Sequence, residues 1–166
     1  LALDAMITEK SKHLFASNDV LTHVELEARH EIELEKYIKR VQIEARIMGE
    51  LCTSHVLPAA IKYQNILINN IKGLKEIGLA DSSYSNQKQI LQKISEHINA
   101  LSELVEKMIE ARKICNAMED HRTKAIAYES QVEAPFFDAI RYKVDKLELL
   151  VDDTYWPLPK YREMLF

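Results

Sequence analysis

Apolar residues recur at alternating intervals of three and four over most of this 166-residue sequence. The longest such run extends from Val24 to about Ile77, and the most regular one follows between Ile90 and Met118. This spacing places apolar side chains on one face of an α-helix, and its persistence over several heptads is typical of helices that pack along their length. With 3 Gly and 4 Pro in the chain, little material remains for the turns of a sheet protein. The sequence therefore predicts an all-α fold.

Turn-forming residues divide the chain into segments. Breaks fall at residues 17–19, in the polar stretch 81–86 and in the polar stretch 119–124. They predict a short helix within residues 1–19 and an antiparallel bundle of three long helices over residues 20–151. Residues 152–166 cannot continue the last helix because Pro157 and Pro159 interrupt it, so we expect an extended tail.

Two prolines lie inside the helical patterns. Proline lacks the backbone N–H, and its ring clashes with the preceding helical turn. The apolar pattern continues in phase past Pro58, so we expect a kink near residues 54–57 rather than a helix end. At Pro135 two outcomes remain open: a kink inside a helix that begins near Lys124, which we favour, or a new helix capped at Ser130.

Each long helix has an apolar face that we expect to be buried. On the first, the face comprises Leu34, Tyr37, Val41, Ala45, Met48, Cys52, His55, Ala59, Tyr63 and Ile66. On the second it comprises Leu91, Ile94, Ile98, Leu101, Val105, Met108, Cys115 and Met118, and on the third Val132, Phe136, Ala139, Ile140, Val144, Leu147 and Val151. A second apolar row on the first helix predicts that it faces more than one neighbour: Ile43, Ile47, Leu51, Ile61 and Ile68.

Charge and cysteine content exclude several classes of function. The formal net charge is −4, with 22 basic and 26 acidic residues interspersed, which gives no basic stripe for nucleic acid and no polybasic membrane patch. No apolar run approaches the roughly 20 residues of a membrane span. Cys52 and Cys115 lack the spacing of a zinc site or a disulfide framework, so we expect a reducing, cytoplasmic compartment.

No constellation of catalytic or metal-binding residues emerges. Di-iron sites in helix bundles use two Glu-x-x-His pairs, and only Glu27 and His30 have that spacing. We interpret this pair as part of a solvated, charged face. His55 and His97 fall on apolar faces, where hydrogen-bonded core histidines are favoured over a catalytic pair. Phosphate-binding glycine motifs are absent. The sequence thus predicts no catalytic, cofactor-binding or metal-ligating residue.

The tail is the most distinctive segment. It combines the sole Trp of the chain with two Tyr and two Pro, and such a group is costly to leave in water. Its prolines do not form the PxxP pattern of SH3 ligands. We expect the tail to dock on the bundle or on a neighbouring domain.

The tail also carries a family resemblance. Its sequence from Trp156 onward, WPLPKYREMLF, resembles the terminus of type III glutamine synthetases, which are large bacterial enzymes with a helical C-terminal domain. Other segments resemble that domain in the same order: 29–31 with 34–37, 42–45, Leu57–Ala60 with Tyr63 and Gln64, and Arg141 with 145–148. The resemblance covers roughly residues 20–166, and residues 1–19 would then be a lead-in helix from an upstream catalytic region.

The resemblance implies a division of labour. The parent enzyme would be a glutamate–ammonia ligase that uses ATP and a divalent metal, proceeds through γ-glutamyl phosphate, and assembles as a dodecamer of two hexameric rings. Its catalytic residues would lie upstream, so this chain alone would be non-catalytic and would serve structure, subunit packing or partner contact. Two alternatives stay open, a free-standing coiled-coil interaction module and, less favoured, a bundle metalloenzyme.

Overall fold

A computed structural model of the protein describes residues 2–164. Every regular element in that range is helical, which confirms the predicted all-α class. The α-helices are α1 (Glu9–Ser17), α2 (His23–Leu51), α3 (Leu57–Glu76), α4 (Ser85–Asn116), α5 (His121–Tyr128) and α6 (Ala134–Leu150). Turns of 3₁₀ helix occur at Ala2–Ile7, Asp81–Tyr84 and Tyr161–Met164, and π-helical turns at Cys52–Val56 and Glu129–Glu133. Leu165 and Phe166 of the predicted tail lie outside the described residues.

Local hydrogen bonds define the ends of the α2–α3 stretch. At its start, Thr22 and Glu25 form a capping box: the Glu25 carboxylate accepts from the Thr22 amide at 2.8 Å, and the Thr22 hydroxyl accepts from the Glu25 amide at 3.3 Å. At its end, Gly78 has a φ of 84° and donates to the Lys75 carbonyl, while Leu79 donates to Leu74. This pair of bonds is a Schellman motif, which needs a residue that tolerates the left-handed region.

The residues group into two compact units. The first unit comprises Leu1–Arg46 and Ile109–Pro135, and the second comprises Ile47–Met108 and Phe136–Phe166. Buried residues of the first unit are Leu26, His30, Leu34, Ile38, Val41, Ala45, Cys115, Ala125, Ala127, Tyr128 and Val132. Those of the second are Cys52, Val56, Ala59, Ala60, Leu67, Tyr84, Ile94, Leu101, Val105, Met108, Ile140, Leu147, Val151 and Trp156.

Each internal proline follows a π-helical turn at the same offset. The amide just before the proline makes the π-type bond in both cases, Leu57 to the Cys52 carbonyl and Ala134 to the Glu129 carbonyl. The carbonyl four residues before each proline, which the ring would strike in an α-helix, lies within this wider turn. The helical backbone therefore continues through Pro135, as favoured from the sequence.

A hydroxyl group lies at the same position of each π turn. Thr53 donates to the Gly49 carbonyl at 2.9 Å, and Ser130 donates to the Ile126 carbonyl at 2.8 Å. Each hydroxyl thus bonds a carbonyl four residues earlier, next to the point where the backbone pattern changes. The alternative of a new helix capped at Ser130 is wrong, because its side chain donates backward into a helix that is already formed.

The π turn at 52–56 also corrects the predicted buried face. The sequence pattern placed His55 and Ile66 on this face, yet both are exposed, whereas the next residues, Val56 and Leu67, are buried. A π turn contains one residue more than an α-helical turn, which rotates the following side chains. Beyond it, Ala59 of the predicted face stays buried and its neighbour Ala60 is buried as well. The kink predicted near Pro58 stays a prediction.

The second apolar row of the first long helix is largely open to solvent. Ile43, Ile47 and Ile61 are each about half exposed, and Leu51 and Ile68 are half-buried. Within the described chain these three side chains are not fully covered, and the expectation that the first long helix faces more than one neighbour stays a prediction for them. Their exposure leaves an apolar surface available to another molecule or domain.

Candidate functional site

A polar cluster in the first unit anchors the N-terminal 3₁₀ turn. The Nε and Nη2 atoms of Arg122 on α5 donate to Oδ1 and Oδ2 of Asp4 at 3.1 and 2.8 Å. This bidentate contact holds the pKa of the Asp4 carboxyl down at about 2. The Nε2 atom of His30 on α2 lies 3.5 Å from the same carboxylate. The cluster therefore joins three segments that are far apart in sequence, and an ionised Asp4 is suited to anchoring them.

The environment of His30 corrects its interpretation from the sequence. His30 is 5% exposed, so it does not lie on a solvated face. The reason is that the 3₁₀ turn, through Asp4, approaches this part of α2. Glu27, one helical turn earlier, accepts from Nζ of Lys12 on α1 at 2.8 Å. Glu27 thus makes a direct bond between segments, whereas the buried Nε2 atom of His30 lies beside Asp4 without a hydrogen-bond partner among the described residues.

Further polar contacts join α2 to the other segments of the first unit. The Tyr37 hydroxyl donates to Glu133 Oε2 at 2.6 Å, and burial together with this carboxylate raises the pKa of the tyrosine. The Gln42 side-chain amide donates to Asn116 Oδ1 at 2.8 Å, next to the end of α4. These side chains fix the register of the helices by directional bonds rather than by apolar packing alone.

An open groove lies between the 3₁₀ turn and α2, and we call it the N-terminal groove. Its volume is about 490 Å³, and Ile32 on its wall is 49% exposed. Its lining residues are Met6, Leu21, Glu25, Ala28, Arg29, Ile32, Glu33 and Lys36. A smaller hollow of about 280 Å³ shares Glu33 and Lys36 with it and reaches Leu3, Tyr37 and Arg40. The groove combines apolar walls with charges of both signs, which suits a polypeptide surface.

The histidines and cysteines do not assemble into a reactive centre. Within residues 2–164, no three His, Cys, Asp or Glu side chains come together as a metal site. Burial raises the pKa of the Cys52 thiol to about 11 and also raises that of Cys115, which keeps both thiols protonated.

The two histidines expected in the core differ from each other. His55 is exposed, so its assignment to the core is wrong, for the register reason given above. His97 is half-buried, and its Nδ1 atom is buried without a hydrogen-bond partner. Burial and the nearby charge of Lys143 lower the pKa of His97, which favours the neutral ring.

The C-terminal segment lies on the second unit. Trp156 is 8% exposed, and the ring of Tyr155 lies 6.4 Å from that of Tyr63 on α3. Lys160 Nζ donates to the carbonyls of Glu148 and Val151 at 2.8 and 2.9 Å, at the end of α6. A cation at a helix C-terminus interacts favourably with the terminal carbonyls and with the negative end of the helix dipole.

Asp153 completes this arrangement. Its carboxylate lies 2.6 Å from Lys160 Nζ and also pairs with Arg162. The Lys160 side chain is 12% exposed, so its ammonium group exchanges most of its water for these oxygen atoms. Sequence reasoning singled out the aromatic residues of the tail but missed Lys160, because no local pattern shows that the tail returns to the end of α6.

Comparison with known proteins now identifies the family. Residues 1–75 match the family described as glutamine synthetase C-terminal domain. Over 161 residues, or 95% of the chain, the sequence is 41% identical to a glutamine synthetase of Bacteroides fragilis (strain YCH46). The chain is thus similar to the glutamine synthetase C-terminal domain family over its first 75 residues and to glutamine synthetases over nearly its whole length. The resemblance stated from the sequence is thereby confirmed.

Two other relatives are also named as glutamine synthetases. The chain is 32% identical over 99% of its length to a type-3 glutamine synthetase of Dictyostelium discoideum, and 28% identical over 96% to a glutamine synthetase of Butyrivibrio fibrisolvens. It spans 22% of the length of the Bacteroides protein and 23% of the other two. Among the described residues, no helix has the length and apolar character to cross a membrane.

Proposed function

We propose that this chain is the non-catalytic C-terminal domain of a type III glutamine synthetase, the ATP-dependent ligase that makes glutamine from glutamate and ammonia. The observation that carries this proposal is the alignment, in which nearly the whole chain corresponds to about a fifth of a glutamine synthetase. The remaining length of such a protein is where ATP and a divalent metal would bind. Reduced, buried Cys52 and Cys115 fit a cytoplasmic enzyme.

The architecture supports a structural role. The long helices would form an antiparallel bundle, kinked at Pro58, with the tail docked on it; burial of Trp156 and the contact of Tyr155 with Tyr63 support the docked tail. Polar contacts such as Arg122 with Asp4 tie distant segments together. Such contacts between distant segments suit a packing or contact domain.

The exposed apolar row supplies a surface for that role. Ile43 of the first unit and Ile47 and Ile61 of the second unit are each about half exposed. Burying a side chain of this size is worth roughly 1.5–3 kcal/mol relative to leaving it exposed. We therefore assign the row to contacts with other subunits, within the dodecamer implied for the family.

Expression of the full polypeptide with and without residues 20–166 tests the proposal. The full polypeptide should form glutamine from glutamate and ammonia with ATP hydrolysis, and should sediment as a large ring assembly. The truncated form should lose assembly, measured by sedimentation velocity, or lose activity together with assembly. Unchanged assembly and activity after truncation would remove the structural role. A gene that encodes no ligase region would instead favour a free-standing coiled-coil module.

A further inference from the structure

We propose that the N-terminal groove is the surface on which the catalytic region of the same polypeptide docks. This inference rests on the proposed function, since it requires a catalytic region in the same chain. It goes further by naming the surface, the occupant and the residues that recognise it.

The walls of the groove expose apolar surface. Met6 of the 3₁₀ turn, Leu21 before α2 and Ile32 on α2 line it together. Met6 and Leu21 are half-buried and Ile32 is 49% exposed, so each retains area that a partner can cover. Apolar area at the centre of a contact supplies most of its binding free energy.

Three of the four charged side chains that line the groove make direct hydrogen bonds or ion pairs within the described chain. Glu25 accepts from the amide and hydroxyl of Thr22, and Glu33 pairs with Lys36 at 2.6 Å. Within the described chain, Arg29 makes no direct ion pair or hydrogen bond, and its charge helps to lower the pKa of Glu25 on the same wall. A guanidinium in this position can bind a carboxylate, or the terminal carbonyls of a helix, on the docking surface. The expected partner surface is therefore apolar with an acidic group or helix end beside it.

The location of the groove beside the N-terminal 3₁₀ turn favours the catalytic region as its occupant. The bidentate contact between Arg122 and Asp4 holds the 3₁₀ turn, and Met6 of that turn forms one wall of the groove. In the relatives, more than three quarters of the polypeptide lies outside the part that matches this chain, and the family is by name a C-terminal domain. A region that is covalently joined beside the groove has a high effective concentration there.

Cysteine protection in the full polypeptide tests the docking site. We would introduce Ile32→Cys in the groove and, as a matched control, Ile114→Cys on α4, where Ile114 is 61% exposed. The native thiols of Cys52 and Cys115 are buried, so they react slowly with maleimide. Alkylation rates would be read by peptide mass spectrometry, in native buffer and in urea.

We expect Cys at position 32 to react about tenfold more slowly than Cys at position 114 in native buffer, and at the same rate in urea. Adding Arg29→Glu should restore fast alkylation at position 32, whereas Arg46→Glu, a reversal of another exposed arginine, should not. Equal native rates at positions 32 and 114 would overturn the docking site. Protection that disappears when subunits dissociate on dilution would also overturn it, because the occupant would then be a second copy.

Two controls separate this inference from the proposed function. Hydrogen exchange of the peptide that contains Trp156, read by mass spectrometry, reports whether each variant retains the packed tail, so an unfolded variant is recognised as such. Ligase activity is measured on the same samples. A full polypeptide without ligase activity contradicts the proposed function, whereas an active polypeptide with a freely reactive Cys at position 32 contradicts only the docking site.

Discussion

Replacing Lys160 by Met should release the C-terminal segment from the second unit. Lys160 Nζ donates to the Glu148 and Val151 carbonyls and lies 2.6 Å from the carboxylate of Asp153, with 12% of its side chain exposed. Methionine keeps the length and apolar stem of lysine but removes the charge and all three donors. The Glu148 and Val151 carbonyls would then lose the ammonium donor.

The magnitude follows from the bonds that are lost. A hydrogen bond to a charged group contributes about 1.5–3 kcal/mol, and the three contacts share one ammonium group and do not add. We therefore expect the tail to be destabilised by about 2–3 kcal/mol, which increases its open population about 30- to 150-fold. Since the tail can open without the helices unfolding, the effect should be local.

Trp156 provides the assay because it is the sole tryptophan and is 8% exposed. Acrylamide quenching of its fluorescence should rise in Lys160→Met, and the amides of Val151 and Trp156 should exchange faster. The matched control is Lys107→Met, which removes an equally short 2.6 Å ion pair from a side chain that is 61% exposed. It should change neither signal. If acrylamide quenching and amide exchange in Lys160→Met are identical to those of the unmodified protein, Lys160 does not hold the tail on the end of α6.

Three further substitutions test other parts of the fold. Tyr128→Phe should raise the free energy of unfolding by about 1 kcal/mol in urea denaturation, because the buried hydroxyl of Tyr128 has no hydrogen-bond partner; a loss of stability would contradict this. Thr22→Ala should lower it by about 1 kcal/mol, since the capping box with Glu25 is lost, and a neutral effect would count against the cap. For His97, burial and Lys143 lower the folded pKa below the ordinary value of 6.5, so its contribution to stability is complete above pH 6.5 and is lost as the pH falls through the lower folded value. The difference in stability between pH 7.5 and pH 5 should therefore shrink in His97→Gln, and an unchanged difference would exclude this role.

Features encoded by short sequence windows were predictable. The helical stretch expected from Val24 to Ile77 and the helix expected from Ile90 to Met118 are present as α2 with α3 and as α4, because three-four periodicity is a local signal. The capping box of Thr22 and Glu25 has its usual spacing and could have been recognised in the same way. Burial along α4 follows the predicted face for the same reason.

Features that depend on the path of the chain were not predictable. Burial of His30 needs Asp4 and Arg122, which are 118 residues apart in sequence. The role of Lys160 likewise depends on the return of the tail to the end of α6. The π turn before Pro58 was not predicted, but it has a local sequence signal. A residue with a hydroxyl group, Thr53, lies five positions before the proline, and Ser130 lies five positions before Pro135. Other sequences can be searched for this pattern of Ser or Thr five residues before a proline inside a helix.

The π turns have a consequence for the evolution of the family. Packing on either side of residues 52–56 and 129–133 fixes which side chains face inward, but it does not fix how many residues the turn itself contains. A homologue with an ordinary α-helical turn and no proline at either place would need one residue fewer and could keep both flanking cores. Single-residue gaps within a helix normally disrupt its packing. At residues 52–56 and 129–133, we expect homologous sequences to tolerate such single-residue gaps.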